Sequence, residues 1–167
     1  METAFVAVSA LVPSLLLMWY FHRRDAFPEP QGVLWTTFGL GVVITVPVIA
    51  VVLVLDRVAE ALTDPFAYGF ASAFLGAAIP EELFKLLVLW FYAARHLQFD
   101  EPMDGIVYGV AASLGFATLE NVLYVAEGGV PVAILRALTA VPGHAFLGAI
   151  MGFCVGQARF DEGRRRA

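Results

Sequence analysis

Glu81, Glu82 and Lys85 fall within five residues of one another, inside an apolar run at residues 66–94. Three further groups capable of chemistry, Glu120, Asn121 and His144, lie in two later apolar runs. A charged side chain at the centre of a bilayer costs about 3 to more than 10 kcal/mol, so groups kept there read as a working site. Crowded carboxylates can share one proton, which suits a group that acts first as base and then as acid. Three carboxylates against Lys85, with His144 neutral, leave two net negative charges that call for protons or a divalent cation. Glu81, Glu82, Glu120 and His144 have the ligand chemistry of a zinc site with one position open to water. No His-Glu-x-x-His helix is present, which excludes a zincin centre. These residues alone leave the choice between a metal-free glutamate site and a zinc site open.

Each feature also has a plain structural explanation. Glu81 and Lys85, spaced i to i+4, suit an intrahelical ion pair. Glu120 and Asn121 suit hydrogen bonding between helices, and His144 suits packing. Those explanations leave Glu82 unpaired, and they must hold on three separate helices at once.

The elements that must position these groups are helices in a membrane. The chain is 60% hydrophobic and 15% charged, against roughly 25% charged in soluble domains. Its mean hydropathy is +0.79. The formal net charge of −5 says little about partners, because several acids lie inside apolar runs. No basic stripe with interleaved aromatics points to nucleic acid. Cys154 is the one cysteine, so no disulfide framework forms within the chain. The first apolar run has no basic residue before it and ends in His22-Arg23-Arg24, the reverse of a secretory signal, and is expected to be a retained span.

About 20 apolar residues cross a hydrocarbon core. Residues 3–21, 33–55, 105–126 and 131–157 each match one crossing. Residues 66–94, about 43 Å long as a helix, are either one span kinked at Pro80 or two short spans. Taken as one span, they place Arg23, Arg24, Arg95, Arg159 and the Arg164–Arg166 tail on one side. The positive-inside rule then predicts an all-α, polytopic bundle of five spans, N-terminus outside and C-terminus in the cytoplasm. The expectation is a single integral-membrane domain over residues 1–167, in the cell membrane. Pro80 lacks an N–H and crowds the Gly76 carbonyl, so bend and carboxylates share one depth. Gly148, Gly152 and Gly156, with Gly105, Gly109 and Ser113, form small-residue seams for close helix packing, either within the chain or in a homo-oligomer.

In order and spacing, Pro80-Glu81-Glu82-Leu83-Phe84-Lys85, Asp104-Gly105-Ile106-Val107-Tyr108-Gly109, Gly115-Phe116-Ala117-Thr118-Leu119-Glu120-Asn121 and His144-Ala145-Phe146 resemble the PrsW family of intramembrane proteases. More distantly they resemble the CAAX-processing and bacteriocin-immunity membrane proteases. The resemblance covers residues 65–157. It implies hydrolysis of a peptide bond in or near the membrane segment of a single-span protein, an anti-sigma factor being the usual substrate. Carried over by position, it makes Glu81 and Glu82 the catalytic pair and has Glu120, Asn121 and His144 complete the site. Glu82 is the expected base, on the premise that Lys85 holds Glu81. His144 and Asn121 would donate to the oxyanion, and Glu120 would orient His144. Family members usually continue into a further span with another histidine motif, which neither His22 nor His96 is placed to replace. That departure admits a reduced active site, a site completed by a partner, or an inactive relative. A proton-coupled transporter and a non-catalytic, immunity-type binder are the competing readings, although no internal repeat of the kind common in transporters is visible.

Overall fold

The computed structural model describes residues 2–161, and among these every regular element is a helix, with no strand. The Arg164–Arg166 tail lies outside the described residues. Six α-helices follow in order: α1 (Glu2–Arg24), α2 (Gln31–Ala59), α3 (Pro65–Ala71), α4 (Ile79–Phe91), α5 (Pro102–Leu138) and α6 (Ala140–Phe160). A π-helical segment, Ser72–Ala78, joins α3 to α4, and a short 3-10 turn, Ala93–Arg95, follows α4.

The centre of the molecule is α5, which packs most heavily on α6 and then on α2 and α1. Its residues from Val107 to Ala117 are buried almost without interruption. Around them lie Leu34 and Phe38 from α2, Leu89 from α4 and Val141 from α6. The opposite faces are apolar as well: Val43, Val46, Leu53 and Val54 on α2 are all at least 60% exposed. So much apolar surface turned outward is untenable in water and natural in lipid. By length and composition, α2 and the 102–160 stretch are each sufficient to cross a membrane.

Pro80 does not split residues 65–91 into two helices. The missing N–H is absorbed one turn earlier, where the winding loosens to π and the Ile79 N–H reaches back to the Phe74 carbonyl. Gly76, inside this segment, faces Asp56 of α2, and a Cβ there would come within 2.8 Å of Oδ1. Ser72 Oγ donates to that same Oδ1 at 2.8 Å, which pins the loosened turn to α2.

The expected final span, 131–157, is not one helix. At Gly129 the backbone leaves the helical region (φ 64, ψ −152), conformations open essentially to glycine alone. A short stretch from Pro131 to Leu138 follows, and the chain breaks again at Thr139 (φ −123, ψ −64). Pro142 has no N–H to offer the Leu138 carbonyl, which suits its place in the first turn of a new helix.

The small-residue seam lies within the chain. Gly105 meets the Gly152 carbonyl, Gly109 the Gly148 carbonyl, and Gly156 the Pro102 carbonyl, each too close for a Cβ. Gly148, Gly152 and Gly156 face α5.

Candidate active site

The six polar residues singled out by sequence come together. Glu81, Glu82 and Lys85 stand on the first two turns of α4, Glu120 and Asn121 at the middle of α5, and His144 in the first turns of α6. The loosened winding before Pro80 sets the rotation of α4, and so directs its carboxylates toward α5 and α6.

Lys85 is the hub. Its side chain is fully buried, with Nζ 2.7 Å from Glu82 Oε1, 2.9 Å from His144 Nδ1 and 3.7 Å from Glu81 Oε2. The ammonium also lies 4.4 Å from the centroid of the Phe116 ring. An ammonium can only donate, so His144 Nδ1 accepts and the ring proton sits on Nε2. From there Nε2–H donates to Glu120 Oε2 at 2.9 Å. The expected Glu81–Lys85 ion pair is present, but Lys85 also holds Glu82, and more closely. The shorter bond runs i to i+3, to Glu82, and Glu81 is the carboxylate with the looser hold.

A further residue closes the network. Arg136 Nη2 donates to Glu120 Oε2 at 2.6 Å, and its Nε donates to Asn121 Oδ1 at 2.5 Å. Residues 15 or 16 apart on an unbroken helix would be separated by about 22–24 Å. The reversal at Gly129 is what returns Arg136 to its partners. This residue escapes the sequence reading, although a signal was there: an arginine six residues inside an apolar run. With it counted, three carboxylates face two cations, and the site carries one net negative charge instead of two.

Glu81, Glu120 and His144 each offer one ligand atom, and these atoms lie within 4.8 Å of one another. Two carboxylates and an imidazole match the donor chemistry of a catalytic zinc centre. Glu82, expected among the ligands, stands outside this group and is held by Lys85. The other histidines are elsewhere: His22 contacts Gln31 at the α1–α2 corner, and His96 accepts from the Gln98 N–H after α4. A shallow apolar groove of about 410 Å³ runs between α4 and α6, lined by Ile79, Leu83, Leu86, Leu147, Ile150 and Met151, with Glu82 on its wall.

Comparison with known proteins adds the family. The sequence profile described as PrsW family intramembrane metalloprotease matches residues 29–167. Protease PrsW of Geobacillus kaustophilus (strain HTA426) is 43% identical over 164 residues, 97% of this chain and 71% of that protein. Protease PrsW of Bacillus subtilis (strain 168) is 40% identical over 97% of this chain and 73% of its own length. Protease PrsW of Clostridioides difficile (strain 630) is 28% identical over 94% of this chain and 67% of its own length. No solved structure matches. On the breadth of these matches, the chain belongs to the PrsW family of intramembrane proteases and is a membrane-bound peptide-bond hydrolase.

Proposed function

We propose that this chain cleaves a peptide bond in or near the membrane segment of a single-span protein, with Glu81 as the base. The observation that carries this reading is the unbroken polar chain from Glu82 through Lys85, His144 and Glu120 to Arg136 and Asn121. It holds several hydrogen-bonding groups at one place among apolar helices, with Glu81 beside them and loosely held.

In this mechanism Glu81 takes a proton from the attacking water and later returns it to the leaving amine. Lys85 keeps His144 in the tautomer with its proton on Nε2. Arg136 takes the Asn121 carbonyl oxygen, so that the amide N–H groups are left for the oxyanion that forms on the scissile carbonyl. Glu120 orients His144, and Arg136 balances its charge. In an alternative, metal-assisted form Glu81, Glu120 and His144, with Nε2 deprotonated and Glu81 a ligand in place of the base, would hold a zinc ion, which would supply polarisation of the carbonyl and a more acidic water. An apolar substrate helix suits the groove between α4 and α6, where Leu83 and Leu147 would meet it and Glu82 marks the approach to the site.

The same reading places five spans in the cell membrane: α1, α2, the α3–α4 rod, α5 up to Gly129, and α6. Support comes from which ends meet. Phe99 stacks on Tyr108, Arg159 lies 5.0 Å from the Phe99 ring centroid, and the Tyr108 hydroxyl donates to Glu29. The corner after Arg23 and Arg24, the loop after Arg95 and the end of α6 thus share one end of the bundle, which the positive-inside rule makes cytoplasmic. An anti-sigma factor fits as the single-span substrate class.

The test is purified protein with a transmembrane reporter substrate. Cleavage in the parent chain and its loss in Glu81→Gln and in His144→Gln is the expected result. Turnover that survives both changes would sink the assignment.

A further inference from the structure

We propose that a second site, formed by Asp25, Glu29 and Asp104, binds one divalent cation of the magnesium or calcium type. It shares no residue with the site around Glu81. Asp104 and Glu120 are 16 residues apart on α5, about 24 Å along the helix.

The three carboxylates come from the end of α1, the α1–α2 corner and the first turn of α5. They are 6%, 4% and 0% exposed. Each offers an oxygen within 4.8 Å of the other two. Some of their oxygens are used: Asp25 Oδ1 accepts from the Phe27 N–H at 3.1 Å, and Glu29 Oε2 from the Tyr108 hydroxyl. Asp104 Oδ2 accepts from the N–H groups of Asp100 at 2.7 Å and Glu101 at 2.8 Å.

Two oxygens remain. Among the described residues, Asp25 Oδ2 and Asp104 Oδ1 are buried and have no hydrogen-bond partner. Among the described residues, no lysine, arginine or histidine forms an ion pair with any of the three acids. Buried carboxylates without a counter-charge are strongly disfavoured, and leaving buried acceptors unpaired adds to the penalty. A hard cation relieves both at once. Oxygens that share such an ion at 2.0–2.6 Å lie at most about 4–5 Å apart, which these carboxylates satisfy. An ion here clamps the α1–α2 corner to the start of the central helix.

The experiment uses manganese as the probe, read by electron paramagnetic resonance on the full chain in detergent micelles. The background is Glu81→Gln/His144→Gln, which removes two of the three ligands at the other centre. Expected are one bound Mn²⁺ per chain, displacement by Mg²⁺ or Ca²⁺, and a higher unfolding midpoint with Mn²⁺ present. On the same background Asp25→Asn/Glu29→Gln, which keeps the Phe27 and Tyr108 bonds, weakens Mn²⁺ binding at least ten-fold and removes the midpoint shift. If that chain fails to fold by circular dichroism, Asp25→Asn alone is read in its place. Absence of bound Mn²⁺ in the background chain overturns the site and leaves a shared proton as its occupant. Mn²⁺ binding undiminished by the Asp25 and Glu29 changes overturns it equally.

Discussion

Lys85 donates to His144 from α4 to α6, Nζ to Nδ1 at 2.9 Å, and this one bond decides which histidine nitrogen carries the proton. Replacing Lys85 with methionine removes that control together with the partner of Glu82. A loss of cleavage of about 100-fold is expected, at the low end of what proton transfer contributes. Removing one member of a buried pair costs about 3–5 kcal/mol. The lower end applies here, because the Glu82 side chain is 32% exposed. Lys85→Arg keeps the charge and recovers stability while cleavage stays low. Reporter turnover and thermal unfolding by circular dichroism separate the two effects.

Glu81 and Glu82 are neighbours in sequence with different surroundings. Glu82 accepts from Lys85 at 2.7 Å, whereas Glu81 lies 3.7 Å from the same ammonium and groups with Glu120 and His144. Glu81→Gln is therefore expected to lower kcat by about 10²–10⁴-fold with little change in unfolding. Glu82→Gln lowers kcat less and shows mainly as destabilisation. Equal kcat losses in the two variants would remove the distinction drawn between them.

Much of this site was legible beforehand because the membrane makes polar residues conspicuous. Glu81, Glu82, Lys85, Glu120, Asn121 and His144 each interrupt an apolar run, and all six meet in the fold. Which partner each chooses was not legible. Whether Lys85 turns to i−4 or i−3 depends on the rotation of α4, which the π segment before Pro80 sets. Arg136 was hidden for a different reason. Residues 131–157 read as one span, and nothing in that reading brings Arg136 back to Glu120; the breaks at Gly129 and Thr139 do. The three acids at residues 25, 29 and 104 fall in loops or helix starts, where acidic residues attract no notice; only the fold buries them together.

Arg136 depends on Gly129 for its position. Gly129→Ala forces a side chain into a backbone region that only glycine occupies readily, at a cost of about 1–3 kcal/mol. The reversal then relaxes, and Arg136 withdraws from Glu120 and Asn121. Arg136→Lys leaves the reversal intact but loses the paired geometry of the guanidinium. Both variants should lower kcat, while only Gly129→Ala lowers the unfolding midpoint appreciably. A midpoint unchanged by Gly129→Ala would show that the turn is not strained by a side chain.

The donor set of Glu81, Glu120 and His144 makes a prediction about metal. Treatment with 1,10-phenanthroline should abolish reporter cleavage, and one equivalent of zinc should restore it. The zinc content of the purified chain should fall in His144→Gln. Full turnover by a chain verified as zinc-free would instead assign the chemistry to the carboxylates alone.

The glycines between α5 and α6 are where the scaffold tolerates least. Gly109 and Gly152 each face backbone of the other helix, with no flexible side chain between to give way. Gly109→Leu or Gly152→Val must push the helices apart, and overpacking of this kind costs about 1–3 kcal/mol or more. Separation also moves His144 away from Glu120, since one sits on each helix. Both changes should lower the unfolding midpoint and cleavage together, while Gly143→Ala, whose Cβ meets nothing within 4 Å, lowers neither. The comparison of these variants in one detergent checks the seam. If Gly152→Val unfolds at the parent's midpoint, the two helices are not in the close contact described.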